Sequence, residues 1–313
     1  MNTPGKDYTH HSWLAAAALI AVLVAVSFIP PQSVGGVKLR RANILSDLLS
    51  FDDAEAAEPA AEESAEAPAE SGKTYTVGVC QLVQHEALDA ATQGFVDALT
   101  EALGDAVTID VQNASGDSVN CGTIVNGFVS KGVDLIMANA TPALTAAVSA
   151  TADIPILGTS ITAYGVALDI DDFNGTVGGN VSGTSDLAAL QAQAQMILDW
   201  FPETKTVGLL FCSAEPNSRY QIDEVRKALE AQGVTCEEFA FTDSNDVSSV
   251  TQKAADFSDV VYIPTDNTAA SNTEAIANVL IPAGVPAVCG EEGLCRGCGV
   301  ATLSISYYDL GVT

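Results

Sequence analysis

Residues 134–141 read DLIMANAT, and residues 259–266 read DVVYIPTD. Each is a short run of β-forming residues that ends on polar side chains and is followed by a stretch with helical spacing. Matching segments surround both: Val77-Gly78 and Val207-Gly208 before them, DIPILG (153–158) and GVPAVCG (284–290) after them. The chain from Thr74 onward therefore contains one strand–helix pattern twice, which indicates two similar lobes.

The spacing of apolar residues predicts strands that alternate with helices in both halves. In the helix predicted over 85–104, Leu88, Phe95 and Leu99 fall on one face. The first half has predicted strands at 75–81, 107–114, 134–140 and 154–160, with helices at 85–104, 117–130 and from Thr141 onward. The second half has predicted strands at 206–212, 235–242, 259–266 and 285–290, with helices at 216–232, 246–257 and 268–280. This alternation predicts an α/β fold of two Rossmann-like lobes with parallel sheets and right-handed crossovers.

Two lobes of this kind enclose a cleft, and open α/β sheets bind ligands beyond the carboxyl ends of their strands. We predict the first lobe at 74–183, completed by 300–313, and the second at 184–299. The polar residues just after the strands are the candidate ligand-binding residues: Gln81, His85, Asn139, Thr141, Thr159, Ser160, Ser213, Asn217, Ser218, Asp266, Asn267, Thr268, Glu291 and Glu292. Short hydroxyl and amide side chains are frequent in this set, and it contains no Lys or Arg. It therefore favours a small polar organic molecule over a phosphate or a sugar nucleotide.

Some of these candidates have a structural alternative. Asp266 could pair with the α-ammonium of a ligand, which we favour, or cap the helix that follows it. Thr141 and the amides after it could bind a carboxylate at the positive end of a helix, or Thr141 could be a plain N-cap. Ser213, Asn217 and Ser218 could face the ligand from the opposing lobe, or form the turn before a helix. The sequence leaves these alternatives open.

The charge balance excludes several functions. The chain has 313 residues with 40 Asp and Glu against 12 Lys and Arg, a net charge of −28, which repels nucleic acids and anionic membrane surfaces. Of the three histidines only His85 lies beyond the N-terminal apolar segment, and the residues near it do not form a nucleophile–base–acid pattern. The sequence has no GxxxxGK[ST] motif and no helix-turn-helix pattern. We therefore expect no enzyme activity, no cofactor, no bound metal and no nucleic-acid partner.

The first 73 residues have the character of targeting and linking segments. A tail (1–12) precedes the uncharged run WLAAAALIAVLVAVSFI (13–29), which is either a secretory signal or, as its poor cleavage site favours, an uncleaved transmembrane anchor. The Ala-, Glu- and Pro-rich linker (30–73) is typical of a charged spacer. Lys38, Arg40 and Arg41 follow the apolar run, so the positive-inside rule would place the lobes in the cytoplasm.

The seven cysteines are an odd number, which leaves at least one of them unpaired. Cys289, Cys295 and Cys298 cluster in CGEEGLCRGC (289–298), which has neither a thioredoxin-like context nor a clear fourth zinc ligand. We expect a local disulfide among these three, with reduced thiols as the alternative. The other cysteines have the pattern of buried, inert thiols.

Several segments, in order, resemble the extracytoplasmic substrate-binding proteins of ABC transporters: QLVQHEALDAATQGF (81–95), DLIMANATPA (134–143), GNVSGTSDL (179–187), SAEPNS (213–218), YIPTDNT (262–268) and CGVATLSISYYDLG (298–311). The resemblance covers 74–313 and is strongest to the branch with tryptophan-, tyrosine- and phenylalanine-binding members. It implies a type I periplasmic-binding-protein fold with an amino-acid-like ligand in the interlobe cleft. It also implies delivery to a membrane permease driven by a separate ATPase. We expect a tethered monomer outside the cytoplasm, against the orientation that the basic residues indicate.

Three departures from the family pattern accompany this resemblance. Gln84-His85-Glu86 stands where the family usually has Glu-His-Pro, the chain ends at Thr313 where the family usually continues into a last helix, and an anchor and acidic spacer replace the usual lipoprotein leader. A tethered ligand sensor of the same fold is the main alternative function, and an enzyme is the third. The candidate aromatic walls of the cleft are Tyr164, Phe211 and Tyr220, and the expected hinges lie near 178–184 and 299–306.

Overall fold

The structure, a computed structural model, describes residues 74–313; the tail, apolar segment and acidic linker predicted within residues 1–73 lie outside the described residues. The first half contains β1 (Tyr75–Gln81), α1 (Glu86–Leu103), β2 (Val107–Asn113), α2 (Ser118–Lys131), β3 (Leu135–Asn139), α3 (Thr141–Ala150), β4 (Ile156–Ile161), α4 (Tyr164–Ala167) and β5 (Val181–Ser185). The second half contains α5 (Leu190–Trp200), β6 (Thr206–Cys212), α6 (Pro216–Glu230), β7 (Thr235–Phe241), α7 (Val247–Phe257), β8 (Val260–Ile263), α8 (Asn267–Ala270), α9 (Thr273–Ala283), β9 (Ala287–Cys289), α10 (Glu292–Cys298) and β10 (Ala301–Thr302). A last described helix, α11, covers Tyr307–Val312.

The two halves form two parallel sheets of the same topology. The first sheet has the strand order β2-β1-β3-β4-β5, and the second has the order β7-β6-β8-β9-β10. Every strand pair in both sheets is parallel. Because each strand of the second sheet takes the place of the strand five numbers earlier, the repeat in the sequence is also a repeat in space. The predicted α/β fold with two similar parallel sheets is confirmed.

The central strands are apolar along almost their whole length because helices cover both faces of each sheet. All four residues of β8 are buried, as are the last six of β6. The edge strand β2, by contrast, has only half-buried and exposed residues. Phe128 on α2 packs into the core of the first half, and Tyr262 on β8 into that of the second. Each sheet therefore has its own core.

The observed elements differ from the predicted ones at a few places. The strand predicted over 259–266 ends at Ile263, because Pro264 has no N–H to extend the ladder. The helix predicted over 268–280 is two helices, α8 and α9, which Ser271 and Asn272 separate. Six helices and strands had not been predicted. They are the poorly apolar edge strands β5 (VSGTS) and β10 (AT), the helix α5, and the short helices α4, α10 and α11.

The helix α11 packs against α1 of the first half, although it follows the second sheet in the chain. A Cβ atom at Gly94 would overlap the Tyr308 carbonyl group, and one at Gly311 would overlap the Ala91 carbonyl group. Glycine at these two positions therefore lets the two helix backbones approach closely. Tyr307, at the start of α11, is buried against Ala91.

Among the helices of residues 74–313, none combines the length and the apolar character that a membrane span requires.

Candidate ligand-binding site

Residues that follow strands of the first sheet lie against residues that follow strands of the second. A cavity of about 340 Å³ opens between them, lined by Leu82 and Val83 on one side and by Glu215 and Asn267 on the other. This is the edge at which α/β sheets bind ligands. Glu215 and Asn267 belong to a larger set of buried or half-buried polar residues near this boundary, which we call the seam: His85, Ser160, Asp186, Glu215, Asn217, Thr265, Asp266, Asn267, Glu291 and Tyr307.

Glu215 organises the second-half side of the seam. Its Oε2 accepts hydrogen bonds from the backbone N and Nδ2 of Asn267 at 3.0 and 2.7 Å, and from Asn217 Nδ2 at 3.1 Å. Its Oε1 accepts from the backbone N and the hydroxyl of Thr268 at 2.9 and 2.8 Å. Because the Asn267 amino group faces Glu215, the Asn267 Oδ1 atom is free to face the first half.

His85 meets this amide from the first half, with His85 Nε2 lying 3.2 Å from Asn267 Oδ1. Since an amide oxygen can only accept, the proton of His85 is on Nε2. Burial lowers the pKa of His85, so the ring is neutral at pH 7. The other ring nitrogen, Nδ1, is therefore a hydrogen-bond acceptor.

Tyr307 and Asp186 form the other end of the seam. Asn217 Nδ2 and Gln221 Nε2 both donate to the Thr265 carbonyl oxygen, each at 3.2 Å. The Thr265 side chain also interacts with the Tyr307 hydroxyl. That hydroxyl donates to Asp186 Oδ2 at 2.9 Å. A continuous polar path therefore runs along the seam and joins residues of both halves.

Four side-chain atoms of the seam are buried and have no hydrogen-bond partner: His85 Nδ1, Ser160 Oγ, Asp186 Oδ1 and Asn217 Oδ1. Ser160 lies near the end of β4, and the other three lie in the segments after β1, β5 and β6, so both halves contribute. Leaving such an atom unpaired costs about 1–3 kcal/mol, and native proteins rarely do so without a reason. The seam can therefore satisfy a ligand that brings several N–H or O–H donors.

Two non-glycine residues at strand ends of the first sheet have a positive φ, which residues with a side chain rarely adopt. Ala140, between β3 and α3, has φ 88°, and Ser160, in β4, has φ 56°. The Ala140 N donates to the Thr159 carbonyl at 3.0 Å, so the two strained segments are joined. Such strain is concentrated at ligand sites. As the N-cap of α3, Ala140 has no side chain that could accept from the first N–H groups of the helix.

Several predicted site residues make hydrogen bonds within one half. Gln81 Nε2 donates to Asp89 Oδ1 at 2.6 Å, and Asn139 Nδ2 donates to the Leu88 carbonyl at 2.8 Å. Ser213 Oγ donates to the Phe241 carbonyl at 3.1 Å. Glu291 caps α10 by accepting from the Gly293 and Leu294 N–H groups. A ligand contact by any of these residues stays a prediction.

Asp266 makes the helix-capping contact that the sequence left as an alternative. Its carboxylate accepts from the Ala269 N at 2.8 Å, at the start of α8, and from the Cys212 N at 2.6 Å, at the end of β6. The side chain is 1% exposed, and burial, followed by the neighbouring Glu215 carboxylate, raises the pKa of Asp266 to about 8. Its contact with a ligand ammonium group is an untested prediction.

Two further predictions need correction. The aromatic side chains proposed as cleft walls pack elsewhere: Tyr164 OH donates to the Gly158 carbonyl at 2.9 Å within the first core, and Phe211 lies under the Arg219 guanidinium at 4.4 Å. Tyr220 packs at the edge of the second core. The disulfide expected among Cys289, Cys295 and Cys298 is also wrong, because all seven cysteines are free thiols. Burial raises the pKa of Cys295, which leaves its thiol protonated.

Four seam residues were not among the predicted site residues: Asp186, Glu215, Thr265 and Tyr307. Each lies within a segment that carried the family resemblance, namely GNVSGTSDL, SAEPNS, YIPTDNT and CGVATLSISYYDLG. The acid, hydroxyl or phenol in each motif was the available signal. It was missed because Asp186 and Tyr307 lie in connections between the halves rather than directly after a predicted strand.

No group of three or more His, Cys, Asp or Glu side chains within residues 74–313 is arranged to hold a metal ion.

The fold and the polar seam define a solute-binding protein with two similar sheets, of the type I periplasmic-binding-protein class. Residues 76–313 match the family described as ABC transporter substrate binding protein, and the chain belongs to that family. Its members are solute-binding proteins rather than enzymes, and they work outside the cytoplasm.

A curated relative, a tyrosine-binding protein of Clostridioides difficile (strain R20291), is 33% identical over 248 residues, which cover 77% of this chain and 71% of the relative. A structure from Streptococcus pneumonia, an ABC domain in complex with L-Trp, is 33% identical with a TM-score of 0.73, over 77% of this chain and 82% of the other. The ligand-free, open structure of a substrate-binding protein with adhesive properties from Clostridium difficile is 34% identical with a TM-score of 0.55, over 76% and 82%. These similarities support a substrate-binding protein and give no support to a tethered ligand sensor.

Proposed function

We propose that this protein captures a free amino acid in the seam and delivers it to the permease of an ABC transporter. The observation that carries the proposal is the set of four buried, unpartnered polar atoms, which both halves contribute. Relatives with bound tryptophan or named for tyrosine support the same ligand class. We propose a monomer that a membrane anchor holds outside the cytoplasm.

An amino acid zwitterion offers the groups that the seam lacks. Its ammonium group has three N–H donors, and His85 Nδ1, Asn217 Oδ1 and Asp186 Oδ1 are acceptors without a donor. Its carboxylate group can accept from the first N–H groups of α3 and from the Ser160 hydroxyl, because a helix N-terminus carries partial positive charge. Both ends of the zwitterion thus find complementary groups.

A thermal-shift screen of the purified protein against the free amino acids tests the ligand class. A ligand at a hundred times its dissociation constant adds about 2.7 kcal/mol to the stability of the folded state. We expect L-tryptophan or L-tyrosine to raise the melting temperature, with N-acetylated forms of the same amino acids as the matched control. If none of the amino acids at millimolar concentration raises the melting temperature, the proposal is wrong.

A separate experiment tests whether the two lobes lie outside the cytoplasm. A reporter fused after Ser71 is expected to be active only on the outer side of the cytoplasmic membrane, against the orientation that Lys38, Arg40 and Arg41 indicate. A fusion that is active only in the cytoplasm would overturn the transport proposal.

A further inference from the structure

Four carboxylates are buried along the seam, and the hydrogen bonds that each already accepts distinguish them. They belong to Asp186, Glu215, Asp266 and Glu291, none of which is more than 4% exposed. A buried carboxylate is costly unless donors or a cation compensate it. The carboxylate with an unfilled oxygen is therefore the one that a cationic ligand would complete.

Three of the four carboxylates are already satisfied by the protein. Glu215 accepts from Asn217, Asn267 and Thr268 with both oxygens. Asp266 accepts one backbone N–H on each oxygen, from Cys212 and Ala269. Glu291 likewise accepts one backbone N–H on each oxygen at the start of α10. These three acids hold turns and helix ends in place.

Asp186 differs from these three. Its Oδ2 accepts from the Tyr307 hydroxyl at 2.9 Å and the Thr162 side chain also interacts with the carboxylate, but Oδ1 is buried with no hydrogen-bond partner. Its position is fixed, because the Asp186 N donates to the Ile161 carbonyl at 3.2 Å and Ser185 Oγ donates to the Thr162 carbonyl at 3.1 Å. Oδ1 is therefore held at the ends of β4 and β5, beside the segment that carries the unpartnered Ser160 hydroxyl.

No basic side chain of the described residues fills this place. Within residues 74–313, Lys131, Arg219, Arg226, Lys227 and Arg296 form ion pairs with other acids: Asp110, Asp223, Glu238, Glu224, Glu86 and Glu292. The two remaining basic residues of this part, Lys205 and Lys253, are exposed. The ionisable side chains that interact electrostatically with Asp186 include those of Tyr307, Tyr164 and Glu291, none of which is a cation.

We propose that Asp186 Oδ1 accepts the ammonium group of the bound amino acid, with Tyr307 as the positioning residue that fixes the carboxylate through Oδ2. This inference rests on the proposed function and assigns the ammonium group to Asp186 rather than to Asp266. Asp186 lies in the connection from the first half to the second, and Tyr307 follows the connection that returns. The ammonium group would thus bind where the two connections between the halves come into contact, through Asp186 and Tyr307.

The test compares amino acids with analogues that lack only the amino group. Calorimetric titrations of the purified protein use L-tryptophan against indole-3-propionate and L-tyrosine against 3-(4-hydroxyphenyl)propionate. We expect Asp186→Asn, which keeps the shape and removes the charge, to weaken binding of the amino acid by about thirtyfold or more. Binding of the analogue should change little, so the preference for the amino group should collapse.

Two further variants complete the experiment. Tyr307→Phe keeps the charge but loses the hydrogen bond to Oδ2, so it should weaken amino acid binding less than Asp186→Asn and retain a preference over the analogue. Asp256→Asn, an exposed acid whose carboxylate accepts from Gln252, changes the charge equally and should leave both affinities unchanged. If Asp186→Asn does not fold, as circular dichroism would show, Tyr307→Phe decides: a preference for the amino group that is smaller than in the wild type supports the inference, and an unchanged preference overturns it.

The outcomes separate this inference from the proposed function. An equal loss for amino acid and analogue, or no loss in Asp186→Asn, would show that Asp186 is a structural or protonated acid and overturn the inference while amino acid binding stands. If the wild-type protein binds none of the free amino acids of the thermal-shift screen, the proposed function itself is wrong, and the inference falls with it.

Discussion

Asp266 follows a strand and precedes a helix, a place where an acid can serve a ligand or the protein itself. The residue type alone could not decide between the two, because both roles require a carboxylate at a strand end. The decisive donor is the Cys212 N–H, 54 positions away in the chain, which the pairing of β6 with β8 brings close. At the residue scale, therefore, the sequence predicts where the polar side chains are but not which donors reach them.

Replacing Asp266 by Ala should lower stability far more than a typical surface change. The variant loses a helix cap and leaves the Cys212 N–H buried without an acceptor, so we expect the free energy of unfolding to fall by about 1–3 kcal/mol. Denaturant unfolding measures the effect. Asp246→Ala is the matched control, because Asp246 is the N-cap of α7 without a side-chain cap bond. Equal losses in the two variants would contradict the capping role of Asp266.

The Glu238 carboxylate should make stability depend on pH. Arg219 binds it through both guanidinium nitrogens at 2.7 and 2.9 Å, and Arg226 also contacts it, so the pKa of Glu238 is lowered in the folded state. A lowered pKa stabilises the fold above the ordinary Glu value near 4.5, and this contribution disappears as the pH falls through the folded value. The difference in unfolding free energy between the wild type and Glu238→Gln should thus be largest at neutral pH and shrink in acid. A difference that is the same at pH 7 and pH 3 would rule this out.

At the element scale, the strongly apolar strands and the long amphipathic helices were predictable, because burial on both faces leaves a continuous apolar run. β1 and β6 were predicted with the bounds that the structure has. β5 and α11 were not predicted, because their formation depends on the elements that they pack against and not on a local apolar pattern. The VSGTS of β5 lies at a half-exposed edge, and α11 is six residues long and is held mainly by α1.

The close contact of α1 with α11 should not tolerate a methyl group. Gly94→Ala would place a Cβ atom against the Tyr308 carbonyl, a backbone group that cannot rotate away, and should cost about 1–3 kcal/mol of stability. Gly122→Ala in α2 meets nothing within 4 Å and should stabilise the protein by up to about 1 kcal/mol, as an alanine in a helix normally does. Thermal unfolding of the two variants measures the contrast. Similar melting temperatures would show that α11 is not packed as described.

At the scale of the whole molecule, contacts between the halves decide how far the cleft is closed. His85 meets Asn267 across the seam, and Arg296 on α10 forms ion pairs with Glu86 on α1 and with Glu292 on its own helix. The TM-score is higher with the L-Trp complex than with the open, ligand-free structure, 0.73 against 0.55, at similar sequence identity. The structure thus resembles the ligand-bound relative more than the open one.

Arg296→Met should make ligand affinity less dependent on salt. An exposed ion pair is worth about 0.2–1 kcal/mol, so the loss of affinity should be at most about fivefold at low ionic strength and smaller at high ionic strength. Titrations with L-tryptophan at two salt concentrations measure this. Lys131→Met, which breaks the ion pair with Asp110 inside the first half, is the matched control and should leave the salt dependence unchanged. If the wild type and Arg296→Met have the same salt dependence, Arg296 does not stabilise the closed state.

The two-sheet architecture was predictable from the internal repeat, whereas the seam was predictable only as a region. Strand ends identified His85, Asn217 and Asn267, which the structure brings together. Asp186 and Tyr307 depend on how the connections cross between the sheets, and neither apolar periodicity nor a strand end marks such a crossing.

The packing of α11 against α1 affects the order in which the two halves of the nascent chain fold. Tyr308 bonds Asp97 over a separation of 211 positions, whereas the second sheet closes within residues 206–302. Contacts between distant positions form late, because a long loop must be closed before they contribute. We therefore expect the first half to be completed last, with α1 open to proteases and chaperones until α11 has been synthesised.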